Sequence, residues 1–364
     1  MQPLEFDLLD WLIGNEGIVH SFGSSCLTFL KLTDFPGFDP EKFDFLLDCG
    51  SDMGDPELQQ AIADRYSVET KNVAITSSAS EGNFLVQALF SPGTIGLETP
   101  TYEPLWKLGQ MMDSKVEYIE RRFEDGFNIR EEELKELVGN VSLIEMTNLH
   151  NPSGVALGKE RMRSIVEICE DAGTTLMVDE IFRNYTDHPS AVDFGENVII
   201  NTSPSKFFGA CGFRIGHLVG EESLIRKVEK LKILLAPNTA VISQRAYLIM
   251  MRNFDWFIKR GRGIMDTNQR MIGEWMGKRE DIEWVRSEGN IAFPRICNPG
   301  THEPVDAMEL AVFLRDRHHI ILTPGKFFGA GYEAHVRMGF GIPEDNLRSG
   351  LEALSVGLDE WHER

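Results

Sequence analysis

A basic excess is missing from this 364-residue chain: 36 Lys and Arg stand against 57 Asp and Glu, a net charge of −21. A nucleic-acid-binding face needs clustered positive charge, and no basic run occurs, so nucleic acid is not an expected partner. A CxxC pair is also missing. The five cysteines, Cys26, Cys49, Cys169, Cys211 and Cys297, are scattered and odd in number. They offer neither zinc-ligand spacing nor a disulfide framework, so no metal is expected, and the thiols read as reduced, in a cytoplasmic protein. The stretch MQPLEFDLLDWLIG has no basic leader region, and no apolar run is long enough to span a bilayer. Neither a secretory signal nor a membrane anchor is expected. Internal repeats, low-complexity tracts and long linkers are absent too. What remains is a globular composition, 42% hydrophobic and 26% charged, with length for two domains or one large α/β domain.

What is present is an alternation. From about residue 73 to 220, short apolar strands (VAITSS, GTIGLETP, KVEYIE, LIEMTNLH, TLMVDEI, VIINTSPS, GHLVG) alternate with amphipathic helices such as EGNFLVQALF, EPLWKLGQMM, REEELKELV and KERMRSIVEICEDAG. Val-, Ile- and Leu-rich strands each followed by a helix predict a mostly parallel sheet covered on both faces. Beyond residue 220 the pattern becomes a long helical region with a break at Ala236–Asn238. Short strands (IEWVRSEGNIAFPRI, HHIILTPG, HVRMGFG) and two helices follow, which reads as a smaller α+β domain. The first forty residues fit neither pattern.

In an open parallel sheet, ligands bind beyond the carboxyl ends of the strands. The sequence delivers polar groups there. After VAIT comes SSASEG, Ser77 to Gly82, a small-residue turn opening a helix. Such a turn either exposes backbone N–H groups to an anion or carries a plain serine cap. After LIEMTNLH comes NPSG, with Asn151, by itself an ordinary turn. After TLMV comes Asp179, a near-buried carboxylate that needs a cationic partner, a structural ion pair or a cap. After VIINTSPS comes Lys206, and Arg214 follows in GFRIG. Taken singly, each has an everyday explanation. Together they offer an anion cradle, an amide, a carboxylate, an amine and a guanidinium on one edge. A phosphate suits the cradle and the bidentate arginine, a protonated ring nitrogen suits the carboxylate, and an aldehyde suits the amine. Pyridoxal 5′-phosphate carries all three.

The motifs GDPELQQAIADRY, SSASEG, TPTY, NPSG, VDEIF, SPSKFFGACGFRIG and TPGKFFGAGYEAHVRMGFG occur in order over roughly residues 50 to 345. In this the chain resembles the fold-type I pyridoxal-phosphate enzymes of the class I/II aminotransferase superfamily. The resemblance implies an α/β fold: a large domain with a mostly parallel seven-stranded sheet sandwiched by helices, and a smaller α+β domain. The expected bounds are 41–245 for the large cofactor-binding domain, and 1–40 with 246–364 for the small one. It implies that Lys206 forms the Schiff base and later carries the proton between Cα and C4′. By the same resemblance Asp179 pairs with the pyridinium nitrogen, Asn151 bonds the ring hydroxyl and Tyr102 stacks on the ring. Backbone groups of Ala79 and Ser80, hydroxyls of Ser80, Ser203 and Ser205, and Arg214 would bind the phosphate, Ser203 being favoured among the serines. Arg337 in HVRMGFG would clamp the substrate α-carboxylate. The implied activity is ping-pong transfer of an amino group between an L-amino acid and a 2-oxo acid, in a homodimer.

The chain departs from that pattern in places. Phe182 stands where many relatives carry a tyrosine bonded to the ring oxygen, which predicts a Schiff base that holds its proton to higher pH unless Tyr185 supplies the hydroxyl. Cys49 stands where relatives often have a tyrosine reaching a neighbouring subunit's phosphate. No arginine lies near LLAPNTAVISQ, which weakens a strict dicarboxylate specialist. The segment GIVHSFGSSCLTFLKL is not the usual opening but is expected to line the substrate pocket. The combination DLLDWLIGNEG…SFGSS resembles capreomycidine-synthase-like cyclases, so a lyase or cyclase is the alternative reaction on the same scaffold. A non-catalytic regulator of this fold is the remaining reading, and the full set of site residues speaks against it.

Overall fold

The computed structural model describes residues 5–13, 15–39, 41, 51 and 54–364; Cys49 lies outside them. The alternation between residues 73 and 220 folds as one seven-stranded sheet. Across it the strands run Val73–Thr76, Gly216–Gly220, Val198–Thr202, Thr175–Asp179, Leu143–Thr147, Thr94–Thr99 and Lys115–Glu120. Gly216–Gly220 is antiparallel to both of its neighbours, and the other pairings are parallel. The single reversed strand has a positional consequence. It begins at the edge where the other six end, so the residues just before it arrive beside their carboxyl termini.

Val73–Thr76, Leu143–Thr147, Val198–Thr202 and Gly216–Gly220 are buried along their whole length, and Thr175–Asp179 in all but its first residue, as the apolar runs require when helices cover both faces. Successive residues serve opposite layers. Ile144, Met146, Leu176, Val178, Val198 and Ile200 join the larger core, whereas Leu143, Met177 and Ile199 join the second. Fully burying one such side chain stabilises by roughly 1.5–3 kcal/mol. The crossover helices Ala79–Leu89, Glu103–Met111, Glu131–Val138 and Lys159–Asp171 lie where the amphipathic segments predict them. Pro56–Tyr66 starts at Asp55, whose carboxylate accepts from Glu57 and Leu58 N–H groups, with proline at the first helical position.

The long helical region contains Glu222–Lys232, Val241–Arg252 and Phe254–Met276, with the break where Pro237 interrupts it. The stretch IEWVRSEGNIAFPRI reads as strand, yet forms three two-residue strands. Ile282–Glu283 pairs with Arg295–Ile296, while Ile291–Ala292 pairs with Val336–Gly339. Gly289 and Pro294 punctuate the run and split its pairing between two partners. The opening segment, which had no clear pattern, forms a short helix Asp7–Leu12 and a strand His20–Ser21 that pairs in parallel with Ile320–Ile321. The two ends of the chain are thereby built into one another.

Candidate active site

One pocket gathers Ser25, Ser78, Ala79, Ser80, Asn83, Tyr102, Thr147, Asn151, Asp179, Ile181, Phe182, Ser205, Lys206, Cys211 and Arg214. Its floor is the carboxyl edge of the sheet. Lys206 follows the strand Val198–Thr202, is half-buried, and donates from Nζ to Ser25 Oγ at 2.9 Å. Asp179 ends its strand and is buried. Its Oδ1 accepts from the Ile181 N–H at 3.0 Å and its Oδ2 from Asn83 Nδ2 at 3.4 Å. Among the described residues no cationic side chain forms an ion pair with it. Burial raises the carboxyl to about 6, against the pull of those two donors and of Lys206. Asn83 is itself held by Asn201, whose Nδ2 donates to Asn83 Oδ1 and to the Ala79 carbonyl. A side chain at Gly82 would collide with Asn201, since an added Cβ would lie 2.4 Å from its Oδ1.

At the cradle, Ser78 adopts φ 105° and makes no side-chain cap to the helix Ala79–Leu89. The serine-cap alternative therefore does not hold, and the N–H groups of the first turn are left without a side-chain acceptor, in an orientation that favours an anion. Gly216 closes this corner. An added Cβ there would lie 2.7 Å from Thr202 O and 3.0 Å from Ala79 N, so only glycine lets the reversed strand pass so close. Arg214, two residues earlier, is exposed, sits at φ 47°, and donates from Nη1 to Cys211 O at 3.2 Å. Ser205 lines the pocket. Ser203 lies behind it, with its Oγ accepting from the Ser205 N–H at 3.0 Å.

Asn151 is held from two sides. Its N–H donates to Thr147 Oγ1 at 2.9 Å, and its Oδ1 accepts from Arg337 Nη1 at 3.2 Å. The donor end of its amide is therefore the end available to a ligand. Behind Thr147 stands a fully buried ion pair. Glu98 accepts from Arg121 Nη1 at 2.8 Å and from the Thr147 N–H at 2.7 Å, while Arg121 Nε donates to Phe127 O at 2.6 Å. Arg337 is buried too. Its Nη2 donates to Gly23 O at 2.9 Å, its Nε has no partner, and burial lowers its guanidinium to about 10. It meets no protein carboxylate among the described residues, which leaves a place for a ligand's carboxylate.

The ring facing the pocket from the VDEIF segment is Phe182. Tyr185 packs behind it, edge-on to Phe207 at 4.8 Å, and its buried hydroxyl has no partner among the described residues. Four lining residues carried no mark in the sequence. Asn83 could have been found as the residue one helical turn past Ala79, and Thr147 as the end of the strand that delivers Asn151. Ser25 and Cys211 lie in segments the sequence already places at the site, GIVHSFGSSCLTFLKL and SPSKFFGACGFRIG, but what brings these two residues to Lys206 is tertiary.

The residues present fit pyridoxal phosphate on the chemistry of the donor set. The carboxylate lacks a cation, the helix start lacks an acceptor, and the amine stands within the same walls. A model of the aminotransferase class I and II family matches residues 46–354. An aspartate aminotransferase of Pyrococcus horikoshii is 24% identical over 323 residues, 84% of this chain and 82% of that protein. A capreomycidine synthase of Streptomyces vinaceus is 26% identical over 319 residues, 85% of this chain and 80% of that one. Among solved structures, a PLP-dependent aminotransferase from Streptococcus suis superposes with a TM-score of 0.92 over 99% of both chains at 21% identity. With its central sheet, its cradle and 309 of its residues within the family match, the chain belongs to the aminotransferase class I and II family, enzymes of fold type I that depend on pyridoxal phosphate.

Proposed function

We propose that this chain binds pyridoxal phosphate at Lys206 and moves an amino group between an L-amino acid and a 2-oxo acid by a ping-pong mechanism. The observation that carries this reading is Asp179. A buried carboxylate with no cationic partner is costly, and the cost is relieved when a protonated ring nitrogen arrives opposite it. Pyridoxal phosphate supplies that cation, together with an aldehyde for the lysine amine and a ring that draws electrons from the substrate's Cα. Arg337 binds the substrate α-carboxylate and orients Cα. Lys206 takes the Cα proton and returns it on the other side of the reaction. Asn151 donates to the ring oxygen and Tyr102 covers the ring face. The first-turn N–H groups of Ala79 and Ser80, with Ser205 and Arg214, hold the phosphate. Ser203 supports Ser205.

The large unit is taken as 41–245, and the small one as 1–40 with 246–364. The pairing of His20–Ser21 with Ile320–Ile321 supports joining the two ends. A homodimer is supported by the exposed apolar run Ile233, Leu234 and Leu235, with Ile242 nearby, and light scattering of the purified protein tests it. A cytoplasmic location is supported by Cys26, Cys169, Cys211 and Cys297 all being free thiols. The second reading, a lyase or cyclase, is favoured by the likeness to capreomycidine synthase.

The test is spectroscopic. The protein is loaded with pyridoxal phosphate, pools of L-amino acids are added, and a 2-oxo acid follows. Loss of the yellow band with each amino donor and its return with the oxo acid is the expected result. A band that persists while ammonia or a cyclised product forms selects the second reading. A Lys206→Ala protein with the same band as the wild type sinks the assignment of the lysine.

A further inference from the structure

Nothing in the family likeness assigns a role to Ser25, yet its hydroxyl is the described hydrogen-bond partner of Lys206 Nζ, at 2.9 Å. The contact joins residues 181 positions apart. Ser25 is buried, 7% exposed, and its backbone is fixed on several sides. Asn290 Nδ2 donates to the Ser25 carbonyl at 3.0 Å, and the Leu27 N–H donates to the carbonyl of Lys206 itself at 2.9 Å. Thr28 N–H donates to Gly341 O at 2.8 Å, and Gly339 N–H to Phe22 O at 2.7 Å. The segment lies so close to the strand after Arg337 that side chains are excluded there. A Cβ on Gly339 would fall 1.7 Å from Ser24 O, and one on Gly341 would fall 2.9 Å from Cys26 O. The two glycines of the RMGFG motif thus admit the strap that aims Ser25.

We propose that Ser25 is the positioning residue of Lys206: its hydroxyl seats the ε-amine whenever the amine is not bonded to the cofactor, and so fixes where the amine takes and returns the Cα proton. The inference rests on the reading of Lys206 as the cofactor lysine. The chemistry of the group suits the task. A lysine side chain has several rotatable bonds, and holding its end in one place costs entropy. A hydroxyl can accept from an ammonium and can also donate to a neutral amine. It therefore holds the amine in both of the states through which a proton carrier passes. A carboxylate in its place would favour the charged state, and an apolar group would hold neither.

The test uses the cofactor-free protein and pyridoxal, the aldehyde without its phosphate, so that the cradle contributes nothing. The Lys206 amine adds to the aldehyde and water leaves. Borohydride then delivers hydride to the imine carbon, giving a stable secondary amine that peptide mass mapping locates. In the wild type, Lys206 is expected to be trapped faster than exposed lysines such as Lys115. Ser25→Ala should slow trapping at Lys206 by roughly 2- to 10-fold, the size of one net hydrogen bond, with the thermal midpoint unchanged and other lysines unaffected. Ser25→Cys, which keeps the volume but bonds weakly, should show the same loss, and Ser25→Thr should recover most of the rate. In single turnovers of the loaded enzyme, Ser25→Ala should raise the isotope effect of an α-deuterated amino acid, because proton transfer becomes the slower step. Trapping at the wild-type rate in both Ser25→Ala and Ser25→Cys overturns the proposal while leaving Lys206 in place. Wild-type Lys206 trapped no faster than Lys115 removes the cofactor lysine, and the proposal with it.

Discussion

Phe182 presents an apolar ring where an added hydroxyl would face the pocket, and Tyr185 is turned into the core behind it. The ring oxygen of a bound cofactor would then have Asn151 as donor without a phenol beside it. Phe182→Tyr is expected to move the titration of the enzyme's visible band to lower pH by roughly half to one unit, the worth of one hydrogen bond. An absorbance titration of the two loaded proteins checks this, and an unchanged midpoint would mean that the new hydroxyl does not reach. The neighbouring carboxylate works in the opposite direction. Asp179 is driven toward its neutral form by burial, so the unliganded pocket is prepared for a positive charge rather than for water.

At the scale of elements, the strand that ends at Thr147 is tied to its neighbour by the Glu98–Arg121 pair, and Thr147 in turn carries Asn151. Both charges are fully buried. Removing one leaves the other uncompensated, so Glu98→Ala should cost about 3–5 kcal/mol in urea unfolding. It should also weaken cofactor binding, through Asn151. Much of this layout was legible in the sequence. The seven strands fall within the strand-like runs of residues 73–220, because a strand buried on both faces must be apolar, a crossover helix must be amphipathic, and the edge strand Lys115–Glu120 alternates. The strand-end residues were legible for the same reason: a parallel sheet sends them to one edge. Ser203 was favoured over Ser205, yet it is Ser205 that lines the pocket, since which of two hydroxyls turns outward depends on one turn's geometry. The run Ile282–Ile296 forms short strands as its sequence suggests, but their pairing was not legible, because hydrophobicity marks burial without naming the partner strand. That the segment holding Ser25 lines the pocket was legible, but its contact with Lys206 was not, its position being set by Asn290 and Gly341.

The whole molecule carries a pH dependence in its interior. Glu145 is fully buried beside Gln87, whose Nε2 donates to it at 2.7 Å, and burial raises its carboxyl from 4.5 to about 8. Its folded value exceeds the unfolded one, so the folded state holds the extra proton across that interval. The stability it contributes is complete below about pH 4.5 and is lost as pH rises toward 8. Asp179 acts in the same sense between 3.8 and about 6 until a cation neutralises it. Glu145 alone should therefore contribute a downward slope in the stability of the cofactor-free protein, up to about 4 kcal/mol from pH 5 to pH 8, opposed below about pH 6.5 by His150, His217 and His335, whose imidazoles burial lowers. Glu145→Gln should flatten that slope and stabilise the protein at pH 8, as urea unfolding at the two values would register. Cofactor should raise the thermal midpoint more at pH 8 than at pH 5, because only at the higher pH is Asp179 charged and unpaired.

The strap around Ser25 also sets an order of events during synthesis. The segment is synthesised more than 260 residues before its fasteners, Asn290, Gly339 and Gly341. The sheet of residues 73–220 can pair before then, since its last strand, Gly216–Gly220, is made well ahead of those fasteners. The nascent protein thus acquires the cradle and Lys206 first and must keep the Ser25 segment unfastened until residue 341 has been made. A chain that stops short of Asn290, however well its sheet has formed, lacks the contacts that hold Ser25 against the lysine, so the amine is seated only once that later stretch is in place.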